Sequence, residues 1–79
     1  MKLIAIVIHS QDLARVREAL RAAVGLSLRG DRIMVRGAVD ERDAAVARAL
    51  ATLTQLGHDV RLDAGVAELR DADVVEVWT

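Results

Sequence analysis

A small three-layer α/β domain built on a four-stranded parallel sheet is the fold class this sequence predicts. Three observations lead there. Leu3 to Ile8 is a continuous apolar run rich in β-branched residues, the mark of a strand buried on both faces. Apolar residues then recur at helical spacing in two later segments. Short β-branched runs follow each of these segments, so strands alternate with helices, as in βαβ units with right-handed crossovers.

The elements follow in order. Leu3–Ile8 is the first strand, and Ser10 is placed to cap the helix after it. Leu13, Val16, Leu20, Ala23, Val24 and Ser27 line one stripe of that helix, and Gly30 closes it. Ile33-Met34-Val35 is a second strand ended by Gly37. Asp40, with Asp43 three residues on, resembles a capping box and starts a second helix. Its stripe is Val46, Ala49, Leu50, Leu53 and Leu56, and it stops at Gly57. Asp59-Val60-Arg61-Leu62 is the third strand, Ala64 to Arg70 a short helix, and Val74–Trp78 the fourth strand. The order βαβαβαβ predicts a single flavodoxin-like domain over residues 1–79 with strand order 2-1-3-4. A ferredoxin-like fold is disfavoured, because it needs two strands in sequence without a helix between them.

Composition excludes several functions. The chain has 79 residues, 53% of them apolar, with no Cys, Pro, Phe or Tyr, and Trp78 is its one aromatic residue. Without Cys there is no disulfide framework, thiolate metal site or cysteine chemistry. A net charge of −1 and a single aromatic argue against nucleic-acid binding. The basic set Arg15, Arg17 and Arg21 reads as a solvated helix face interrupted by Glu18. Six apolar residues at the start are too few to span a bilayer and lack a cleavage site, so the expected location is cytoplasmic, with no membrane partner. A domain this small buries only about 60% of its unfolded surface, and its core is aliphatic. Self-association or a partner subunit is therefore expected.

Charge is uneven along the chain. Residues 1–39 hold seven basic and three acidic side chains, net +4, and residues 40–79 hold four and nine, net −5. The halves either complement each other within one domain or form a seam that docks another copy or a partner.

Chemistry, if present, belongs beyond the carboxyl ends of the strands, where strand order reverses. In order 2-1-3-4 that point lies between strands 1 and 3, which brings His9, Ser10 and Asp63 to one small polar ligand-binding site. An aspartate can orient an imidazole and raise its basicity. The bland reading makes His9 a surface histidine and Ser10 a helix cap. A nucleophile triad lacks the G-x-S-x-G elbow. His9 and His58 fall at opposite ends of parallel strands and share no metal site. The first turn has no glycine, so no dinucleotide or P-loop pattern is met, and no cofactor is implied. Trp78, on the last strand, either closes the small core or anchors an interface.

Three segments carry a resemblance. Leu26-Ser27-Leu28-Arg29-Gly30-Asp31 leads into strand 2, Leu56-Gly57-His58-Asp59-Val60 into strand 3, and Val66-Ala67-Glu68-Leu69 followed by Ala72-Asp73-Val74-Val75 into the last strand. The chain resembles the DsrE/DsrF/DsrH-like family of small α/β proteins over nearly its whole length. The aromatic close at Trp78 is most similar to the DsrH (TusB) branch. Such proteins relay sulfur as cysteine persulfides and form homo- or hetero-oligomers. Transferring members carry a cysteine just past the third strand, a position that falls at about Asp63 here, and the segment after strand 3 is shortened. The resemblance therefore implies a cysteine-less, non-catalytic binding or assembly member that does not itself transfer persulfide. The alternative is a small enzyme or ligand-binding protein using His9, Ser10 and Asp63.

Overall fold

The computed structural model describes residues 1–62 and 66–79. Four strands, β1 (Leu3–Ile8), β2 (Arg32–Gly37), β3 (Asp59–Arg61) and β4 (Val74–Trp78), form one parallel sheet. Two helices, α1 (Leu13–Leu28) and α2 (Ala44–Gln55), connect the first three. A 3-10 turn, Val66–Asp71, precedes β4 where a short helix from Ala64 was expected; Asp63, Ala64 and Gly65 lie outside the described residues. The α/β class and the all-parallel sheet are as the sequence predicts. Among the described residues no helix is long and apolar enough to cross a membrane.

The strand order is 3-2-1-4, not 2-1-3-4. The difference has a physical cause. With β3 outside β2, two right-handed crossovers run in the same direction and place α1 and α2 on one face. There they bury a shared stripe: Val16, Ala19, Leu20 and Ala23 from α1, and Val46, Leu50 and Leu53 from α2. Order 2-1-3-4 would have put the helices on opposite faces. The composition of β3 agrees with an edge position. Asp59-Val60-Arg61 alternates polar and apolar residues, whereas a central strand between two helical layers needs a continuous apolar run.

β1 lies inside the sheet, between β2 and β4. Ile4, Ile6 and Ile8 face the helices, and Ala5 and Val7 are buried on the other face. Fully burying an aliphatic side chain is worth about 1.5–3 kcal/mol, so this strand and the two helix stripes hold the domain together. The α2 stripe ends sooner than its spacing suggests, since Leu56 is exposed.

Both helix starts shift by a few residues from expectation. Asp12, not Ser10, caps α1: its Oδ1 accepts from the Ala14 N–H at 3.0 Å. The Ser10 hydroxyl instead accepts from the Asp12 N–H at 3.1 Å. Asp43, not Asp40, caps α2, with its Oδ2 accepting from the Val46 N–H at 3.0 Å. Ser10 and Asp40 are equally capable cap residues. The path by which the chain leaves the sheet selects the later one each time.

Candidate functional site

The carboxyl ends of the strands meet around Ile8. Its register partners are Gly37 on β2 and Trp78 on β4. Gly37 has a φ of +129°, and a Cβ built there would lie 2.2 Å from the Ile8 carbonyl oxygen. Only glycine fits this approach of β2 to β1. The chain then turns away through Ala38 and Val39, which opens a cleft of about 470 Å³ between that turn and the start of α1. Ser10, Gln11 and Leu13 form one wall, and Val39, Asp40 and Arg42 the other.

The polar groups of this cleft are largely engaged with one another. Arg42 forks onto Asp40, Nε to Oδ1 at 2.9 Å and Nη2 to Oδ2 at 3.1 Å, and its backbone N–H donates to the same carboxylate. Those bonds to Arg42 hold the Asp40 carboxyl below its ordinary range. His9 is exposed, and its backbone N–H donates to the Trp78 carbonyl at 2.8 Å. His9 and Ser10 thus lie side by side at the end of β1. Asp63, expected to join them, lies outside the described residues, and β2 separates β1 from β3 in the sheet. With order 3-2-1-4, strand order reverses between β1 and β4 rather than between strands 1 and 3, so the reversal point lies at His9 and Thr79.

Trp78 faces the helices and packs, half-buried, against the core. Arg15 of α1 lies over its ring at 4.6 Å from the centroid, and the Arg15 Nε donates to the Thr79 carbonyl at 3.3 Å. Trp78 therefore closes its own core in part, while one side of the ring carries a cation.

Three polar arrangements escaped the sequence reading. Arg36, 1% exposed, is buried on the sheet face away from the helices. Its Nη1 donates to the carbonyls of Val35 and Asp59, and its Nη2 to Asp59 Oδ2 at 2.9 Å. Arg61 reaches Asp59 Oδ1 from the other side at 3.1 Å. Both arginines hold the Asp59 carboxyl down, Arg36 more strongly. The second arrangement is Arg17 of α1 with Asp43, the cap of α2. The third is His58, whose Nδ1 accepts from the buried Ile33 N–H at 3.1 Å, so this histidine closes the amino end of β2. One signal was available for Arg36: an arginine directly follows the apolar run Ile33-Met34-Val35, and the third strand opens with an aspartate.

A larger cavity, about 670 Å³, lies at the amino ends of the strands, away from the cleft. Lys2, Arg32 and Arg70 stand around it, with Met34 among its apolar residues. Asp73, also lining it, already accepts from the Leu3 N–H at 2.8 Å. Among the described residues, no group of three or more His, Cys, Asp or Glu is placed to hold a metal ion. No family model, curated protein or solved structure matches the chain.

Proposed function

We propose that this protein is a non-catalytic, oligomeric subunit of the DsrE/DsrH kind, a cytoplasmic assembly protein whose part in sulfur relay is to build or regulate the complex. The observation that carries the reading is the open edge of β4. Val75 and Val77 are 45% and 57% exposed on a strand that pairs only with β1 among the described residues. An uncovered apolar edge strand is a ready template for another chain. The small aliphatic core gives a reason to cover it, because a domain of this size gains stability from association. The link to sulfur relay rests on the helix-end glycines and hydrophobic spacing quoted above. The absence of cysteine gives the chain a structural part in it.

Affinity capture of the tagged chain from its native cell, followed by mass spectrometry, tests this role. The expected result is co-purification of untagged copies or of small α/β subunits that carry a reactive cysteine. Recovery of the bait alone overturns it.

The cleft favours a second reading, a ligand-binding protein or small enzyme in which Ser10 meets the ligand. Its roughly 470 Å³ is within the range of small-molecule sites, and Ser10 lines it. A metabolite bound by the purified protein and lost in Ser10→Ala and Asp40→Ala would favour this reading over assembly.

A further inference from the structure

Taking the oligomeric role proposed above as given, we infer that two copies of this chain pair their β4 strands antiparallel, with Val77 on the two-fold axis, to make one eight-stranded sheet. The direction of the backbone groups comes first. The His9 N–H donates to the Trp78 carbonyl, and β1 pairs with β4 in the register Ile8↔Trp78. In a parallel ladder of that phase, the even residues of β4 direct their N–H and C=O groups toward β1. Val75, Val77 and Thr79 direct theirs outward, to the open edge.

Of the two-fold registers that satisfy the outward groups, three pair at least three residues of β4 (Val74–Trp78), and charge chooses among them. Centring on Glu76 sets two carboxylates directly opposite each other, which is repulsive. Centring on Val75 places Glu76 opposite Val74, an apolar residue that brings the carboxylate no cation. Centring on Val77 places Glu76 of each copy opposite Trp78 of the other, on the face that carries the helices. Arg15 already lies over the Trp78 ring, so Glu76 meets a guanidinium across the axis. Val75 then stands opposite Thr79, and the two Val77 side chains meet on the other face, covering the most exposed apolar positions of β4. The opposite sheet edge is a poorer template, because β3 has three residues and presents Asp59 and Arg61.

The chain has no cysteine, so single-cysteine variants report the register without background. Directly opposed, hydrogen-bonded residues have Cα atoms about 5.5 Å apart, inside the disulfide range. Under a mild oxidant Val77→Cys is expected to form a covalent dimer. Val75→Cys is expected to stay uncrosslinked, because its copies sit four residues apart along the pairing, roughly 13 Å. In sedimentation the wild-type chain is expected at twice its 8.6 kDa mass. Val77→Lys should be monomeric with unchanged circular dichroism, since the side chain is exposed. Glu76→Arg should weaken the dimer by about two- to fivefold, and the double variant with Arg15→Glu should restore it. Preferential crosslinking at position 75 or 76, or a wild-type chain that is monomeric throughout, overturns the inference. A monomer that still captures other small subunits from the cell overturns this pairing and leaves the assembly role intact.

Discussion

Arg17 of α1 grips Asp43, the residue that caps α2: Nε donates to Oδ2 at 3.2 Å and Nη2 to Oδ1 at 2.5 Å. One carboxylate therefore starts a helix and ties it to its neighbour. The bonds from Arg17 and from the Val46 N–H hold the Asp43 carboxyl at about 2, against an ordinary 3.8. Its contribution to stability is complete above the ordinary value and is lost as pH falls toward 2. Urea midpoints measured from pH 5 to pH 2.5 should fall, and should fall less steeply in Asp43→Asn. Parallel slopes would show that the carboxylate is not the group responsible.

Gly37 predicts a sharp intolerance. A methyl group there meets the Ile8 carbonyl, and the positive φ is itself costly for an L side chain. Gly37→Ala should lower stability by about 1–3 kcal/mol. Gly30→Ala, with open space around it, should pay the backbone strain alone and lose less. Chemical denaturation of the two variants side by side decides between them.

Asp59 answers a buried guanidinium. Asp59→Ala takes away a carboxylate that stands 2.9 Å from a guanidinium in a nearly water-free position. Because Asp59 is itself 38% exposed, water offsets part of the loss, and about 1–2 kcal/mol is expected. In a double-mutant cycle, Asp59→Ala should cost less in the Arg36→Met background, since the bond from Arg36 Nη2 to Asp59 Oδ2 is then already absent. An equal cost in both backgrounds would refute the pairing as the cause.

His58 acts as a backbone acceptor. His58→Ala leaves the Ile33 N–H without its acceptor at a buried position, a loss of about 1–3 kcal/mol. Amide exchange at Ile33 should accelerate more than at Val35, deeper in the same strand. Equal acceleration at both would mean a global loss instead.

The extent of β1 and β4, the helix stripes and the alternation of strands and helices were legible in the sequence, because each is set by local periodicity and side-chain burial. The charge division was legible too. Its two halves meet in Arg17 with Asp43 and in Arg36 with Asp59, each an arginine from the first half and an aspartate from the second. The caps were less legible, since Ser10 and Asp12, or Asp40 and Asp43, satisfy the same local chemistry.

Strand order was decided only by the tertiary structure. No local pattern states which side of the sheet a crossover returns to. The choice fell to the gain from packing α1 against α2 on one face, with charged β3 left at the edge. That choice also moved the reversal point from strands 1 and 3 to β1 and β4, pairing β4 with β1 and bringing Trp78 under Arg15 of α1. Periodicity, a property of neighbours in the chain, determined the elements. Burial shared between distant segments determined where those elements lie and which side chains meet.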